Sequence, residues 1–220
     1  MSIQTTPDAI IQHTVGFLSR PRNVTHTGIK RCAEDLTHLA LTNRRYRNIC
    51  QGLVTSLRTL DGLVRKYNSY NNWYQLRCLE DTDWSANPHL LDAVFTGWEY
   101  PGGDHSCRKF TDETVNDIRE IVRLTPGSIG CTMGSTRCCN SVTPLAAACL
   151  NKEAPVAVVP LLLQRGADPE TTILYTGSPV KLIDLVSCAQ VSGLSQTRIT
   201  AIRQLFSAFS AGREEGKKEG

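Results

Sequence analysis

The sequence predicts an all-α protein, a short helical bundle followed by a degenerate helical repeat stack. Three observations predict it. Apolar residues recur at helical spacing through residues 7–67, residues 141–169 describe one complete helical hairpin, and degenerate copies of that hairpin lie on either side of it. A chain of 220 residues can build one moderate domain or two small ones with real cores, so size requires neither a disulfide nor a metal. Hydrophobic residues make up 40% and charged residues 20%, which excludes wholesale disorder.

The first region, residues 1–67, reads as three helices. In DAIIQHTVGFL, Ile10, Ile11, Thr14, Val15 and Leu18 recur at spacings of three and four, with Pro7 placed to start the helix and Asp8 in its first turn. SRPRNVTHTGIKRC contains Pro21, Asn23 and Gly28 and reads as a loop. Periodicity resumes at Asp35, with Leu36, Leu39, Ala40 and Ile49 on one side; a third run puts Leu53, Leu57, Leu60 and Val64 on one stripe. Three such segments can bury one another as a bundle. Residues 68–87 form an aromatic linker, in which Trp73, Tyr74, Leu76, Leu79 and Trp84 plug the seam to the next region or, in the rival reading, anchor a partner.

Residues 88–210 contain the helical hairpins. Thr143 is a good helix cap and Pro144 sits at the first helical position, where its missing amide costs nothing. Leu145, Ala147, Ala148 and Cys149 make a short helix of small residues; a second carries Val156, Val158, Val159, Leu161, Leu162 and Leu163. Pro160 conflicts locally with that second helix, but a place near the first turn makes it tolerable. Gly166 ends the helix in the left-handed conformation, and Ala167-Asp168-Pro169 begins a turn. Ser178-Pro179-Val180 reads as a second copy of Thr143-Pro144-Leu145, with KLIDLVSCA as its first helix and Ile199, Ile202, Leu205, Phe206 and Phe209 in its second. A weaker copy runs from Pro88 to Val94 and continues in Val115, Ile118, Ile121, Val122 and Leu124 after a Gly-rich, charged insertion. Three units is about the minimum for a stable stack. Residues 211–220, with mixed charge and no apolar face, read as a flexible tail.

This third region resembles the ankyrin-repeat family. Thr143, Pro144, Leu145 and Ala148 are similar to its Thr-Pro-Leu-His-x-Ala signature with Ala146 in place of His, and Leu162, Leu163, Gly166, Ala167 and Asp168 are similar to the end of its unit. The resemblance implies an ankyrin-like helical repeat stack that binds a protein through loops and inner-helix surfaces. The first region resembles an F-box: Pro7, Ile10, Ile11, Phe17 and Leu18, then Asp35, Leu36, Leu39, Ala40, Asn43, Arg44, Tyr46, Arg47 and Ile49, with Thr6 where the family usually has Leu and Tyr46 for its common Trp. That resemblance implies docking on a Skp1-like adaptor of a cullin ubiquitin ligase. Pro7, Ile10, Ile11, Leu18 and Leu36 would supply the adaptor-facing and supporting surfaces. Recruitment of an unidentified substrate protein is the expected role, with a plain ankyrin scaffold as the alternative.

Other chemistries have weaker support. The formal charge of +3, from 24 Lys and Arg against 21 Asp and Glu, directs the chain neither to nucleic acid nor to anionic lipid by field alone, so no nucleic acid and no membrane is expected; only a local basic patch could support the former. Arg44, Arg45 and Arg47 around Tyr46 are such a candidate, against the plainer reading of a solvated helix face. No apolar run approaches a membrane span, the N-terminus lacks a signal-peptide pattern, and a cytoplasmic or nuclear protein with reduced cysteines is expected. Cys131, Cys138, Cys139 and Cys149, with His105 and Cys107, invite a zinc reading, but no Cys-x-x-Cys pair occurs and no metal or cofactor is expected. None of the five histidines lies in a nucleophile motif, so a thiol enzyme is the least favoured alternative.

Overall fold

The computed structural model describes residues 26–42, 44–67, 93–94, 109–130, 133–135, 140–188 and 193–218. Most of these are helical, and the chain divides into two compact units, Met1–Ser69 and Tyr70–Gly220.

In the first unit, helix α1 (His26–Thr42) packs against α2 (Arg44–Tyr67). Helix α1 begins inside the segment expected to be a loop. Ile29, Cys32 and Leu36 follow one another at three and four residues and are all buried, so a short apolar period runs through the segment despite Gly28, with the cysteine packing as a small apolar residue. The segment expected to run as one helix from Asp35 to Cys50 instead divides between Thr42 and Arg44. Helix α2 then passes through Gly52, the expected start of the third helix, and buries Cys50, Leu57, Leu60, Leu63, Val64 and Tyr67 along one side. An isolated glycine costs a helix about 1 kcal/mol, which the buried stripe outweighs. The expected helix at 8–18 and the aromatic linker lie outside the described residues.

In the second unit, Thr111 caps α3 (Asp112–Leu124) through a reciprocal pair with Thr114, and Asp112 and Glu113 complement the positive end of the helix. Ile118, Ile121 and Val122 are buried on its inner face, as the spacing predicts. Thr125 turns its hydroxyl onto the Ile121 carbonyl (2.7 Å), Ser128 donates to Thr125 (2.8 Å), and the chain tightens into a 3-10 turn at Pro126–Gly130.

Two antiparallel hairpins break the all-helical expectation. Strand β1 (Met133–Ser135) pairs with β2 (Asn140–Val142), and β3 (Thr172–Tyr175) pairs with β4 (Ser178–Lys181). The second hairpin corrects the alignment of Ser178-Pro179 with the capping pair Thr143-Pro144. Pro179 lies in β4 opposite Leu174, and the helix that follows, α6 (Leu182–Ser187), begins three residues beyond it. A proline has no amide to donate, so it is tolerated in a two-stranded ribbon as readily as in a first helical turn.

Helices α4 (Pro144–Leu150) and α5 (Val158–Gln164) form the hairpin predicted within residues 141–169. The Pro160 conflict is resolved by a late start. The Val156 carbonyl, which a continuous helix would leave facing Pro160, accepts from the Val159 amide instead (3.0 Å). The last helix, α7 (Gln196–Lys218), buries Ile199, Ile202 and Phe206 and packs on α5 and α6. It continues well into the expected flexible tail. Arg, Glu and Lys are good helix formers, so lack of an apolar face does not prevent a helix through residues 213–218. Helix α5 touches α3, α4 and α7, while α4 touches α6.

Candidate protein-binding surface and its internal brace

The sequence of α4 explains its burial. Thr143 accepts from the Ala146 amide (3.2 Å), Pro144 occupies the first helical position, and every residue from Pro144 to Cys149 is buried. Alanines at 146, 147 and 148 let neighbouring backbone come close. In a helix of 7 residues, the last carbonyls, which have no donor within the helix, are a large share of the whole.

Arg198 meets that need, and the Asn151 side chain ties the same helix end to another segment. Arg198, from the first turn of α7, donates to the carbonyls of Ala148 (2.8 Å), Cys149 (3.4 Å) and Ala154 (2.6 Å). Its positive fork thus lies at the negative end of α4, a favourable placement for a guanidinium. Asn151, fully buried at the other side of the same helix end, donates to the Val94 carbonyl (2.8 Å) and accepts from the Glu153 amide (3.0 Å). Residues 94, 151 and 198 therefore tie together three segments far apart in sequence.

Beyond this brace, α5 ends in two bonds of a Schellman closure. Ala167 N–H reaches the Leu162 carbonyl (3.1 Å) and Gly166 N–H the Leu163 carbonyl (3.0 Å), with Gly166 at φ +100°. Asp168 is exposed, and its carboxylate accepts from the Glu170 amide (3.3 Å) at the start of the turn. The β3–β4 hairpin follows. Its two-residue tip, Thr176 (φ +50°) and Gly177 (φ +81°), has the paired left-handed geometry that matches strand twist. Ile173 is buried, whereas the cross-strand neighbours Leu174 and Pro179 are exposed on the other face. Leu174 is 43% exposed, and the Lys181–Glu170 ion pair (3.4 Å) lies at the base of the ribbon. Leu174 and Pro179 thus form a small exposed apolar pair with one ion pair at the base of its ribbon, the kind of surface that protein contacts use.

The predicted residues separate by role. Thr143, Pro144, Leu145, Ala148, Leu162, Leu163, Gly166, Ala167 and Asp168 all lie in the α4–α5 hairpin or its closing turn, where they cap, pack or terminate. Of the adaptor-facing set, Leu36 is fully buried and so supports the core of its own unit; Pro7, Ile10, Ile11 and Leu18 lie outside the described residues. Sequence reasoning missed Arg198, Asn151 and Leu174. A clue to Arg198 was available: a cation in the first turn of a helix opposes that helix's dipole unless it serves another acceptor.

The thiols carry no activated nucleophile among those with a shifted pKa. Burial pushes Cys149 up to about 12, against the opposing pull of Arg198, and Cys32 up to about 11; Cys50 is also raised by burial. Thiolate ligands or nucleophiles require the opposite shift. Among the described residues no group of three or more Cys, His, Asp or Glu is placed to hold a metal, and no helix is long and apolar enough to cross a membrane. His105, Cys107, Cys131, Cys138 and Cys139 lie outside the described side chains. Comparison with family models, curated proteins and solved structures finds no match.

Proposed function

We propose that the chain is a non-catalytic protein-binding adaptor. Its second unit, an ankyrin-like helical stack, holds a substrate protein, and its first unit recruits a Skp1-cullin ubiquitin ligase. The observation that carries the binding role is the brace of Asn151 and Arg198, which joins successive helical segments while the β3–β4 hairpin keeps Leu174 and Pro179 exposed. The ligase role rests on the F-box resemblance of residues 7–49. The gain from such a bridge is effective concentration, with ubiquitin transfer left to the assembled ligase. Size-exclusion chromatography of the purified full chain with a purified Skp1-type adaptor tests it. Co-elution is expected, and separate elution of a folded chain refutes recruitment.

A second reading, a protein-binding scaffold without ligase association, is favoured by one observation. Leu36 is spent on its own core rather than presented at a surface. Retained binding of a protein partner by a chain that ignores the adaptor would select it.

A further inference from the structure

The near-neutral charge of the whole chain conceals a segregation. Helix α2 contains six Arg and Lys against one Asp, a local excess of +5 in a chain whose formal sum is +3. Its buried stripe fixes which way the helix faces, and Arg47, Gln51, Arg58 and Arg65 fall on the opposite, exposed side. At 1.5 Å per residue, Arg58 lies about 16 Å along the axis from Arg47 and Arg65 about 10 Å further on. Among the described residues neither Arg47 nor Arg58 forms an ion pair, and Asp61 is engaged by Arg65 at 3.1 Å. Gly62 falls on the same side, and a Cβ there would meet nothing within 4 Å.

We propose that this face of α2 is a docking surface for the phosphate backbone of duplex nucleic acid. The chemistry selects that occupant. A protein partner would require an apolar centre in the contact, and an anionic membrane an apolar face to insert; the exposed line from Arg47 to Arg65 offers arginine, glutamine, threonine and glycine instead. Thr55 and Thr59 turn their hydroxyls onto the carbonyls of Gln51 (3.0 Å) and Thr55 (3.1 Å), which leaves the guanidinium forks of exposed Arg47 and Arg58 and the exposed Gln51 amide as donors on this side. Guanidinium contacts to phosphate position a duplex without reading its bases. The inference is independent of the adaptor reading, since it uses the exposed charge of α2 and none of the apolar positions.

Fluorescence anisotropy with a labelled 20-base-pair DNA duplex, a 20-base-pair RNA duplex and phosphatidylserine vesicles tests it on the full chain. The duplexes are expected to bind in low salt, with vesicles bound at least tenfold more weakly. The double variant Arg47→Gln/Arg58→Gln is expected to weaken duplex binding about tenfold or more and to flatten the log-affinity against log-salt slope by about 2, near one unit per lost phosphate contact. Arg165→Gln/Arg203→Gln removes the same charge from exposed positions of the other unit and is expected to leave binding nearly unchanged. Arg47→Lys/Arg58→Lys, helical by circular dichroism, is expected to restore most of the affinity. Absence of duplex binding in low salt, equal weakening by the control pair, or stronger binding to vesicles overturns the proposal.

Discussion

Arg198 braces the second unit with three hydrogen bonds. It is only partly buried, but its three acceptors come from the end of α4 and the turn that follows, and no other described side chain bonds those carbonyls. Arg198→Ala is expected to lower the stability of the unit by about 2–4 kcal/mol, read as a urea midpoint shift at constant m. Arg198→Lys should recover less than half of this, because an ammonium cannot span three diverging carbonyls. Equal stability of the alanine variant and the parent would mean that the brace is ornamental. Cys149, beside it, supplies a pH dependence. Its folded pKa, pushed up to about 12, lies above the ordinary thiol value of 9.0, so the folded state holds its proton where the unfolded chain releases it. The stabilisation is complete below about pH 9 and is lost as pH rises toward 12. Unfolding titrations of the parent and Cys149→Ala should therefore diverge in slope above pH 9. In the native state iodoacetamide is expected to modify exposed Cys188 well before buried Cys149, a difference that peptide mass spectrometry resolves.

At the scale of elements, local signals with a single physical cause were legible. Thr143 and Pro144 start α4 because one accepts an orphan amide and the other has none to orphan. Gly166 ends α5 because only a residue without a Cβ adopts φ +100° at low cost. Gly166→Ala should cost about 1–2 kcal/mol, from the backbone alone, since an added Cβ meets nothing within 4 Å; a thermal shift below 1 °C would contradict this. Signals with two causes were misread. Pro179 serves a strand edge as well as a helix start, and Gly28, read as a loop residue, lies within a helix whose Ile29 and Cys32 are buried. The β3–β4 ribbon was missed because its four-residue strands carry one buried residue between them, Ile173, too little alternation to stand out from a turn. Arg198 could be suspected from its place in a first turn, but its acceptors lie 44 to 50 residues away, and no local pattern reports them.

At the scale of the molecule, the two units invite separate experiments. Leu174→Asp changes a side chain exposed on the ribbon of the second unit, so it is expected to leave thermal unfolding nearly unchanged while, under the proposed adaptor role, weakening capture of a protein partner. Co-elution with a Skp1-type adaptor should be untouched by the same change; loss of both together would deny a division of labour between the units. The charge distribution has the same lesson at larger scale. A sum of +3 says little about a chain in which one helix carries +5.

The brace also imposes an order on biosynthesis. The ribosome releases Val94 first, Asn151 next and Arg198 last, so the carbonyl end of α4 waits for its final donor until some fifty further residues have emerged. Nascent chains halted short of Arg198 should stay open to protease around residues 148–154 and close once that arginine leaves the tunnel.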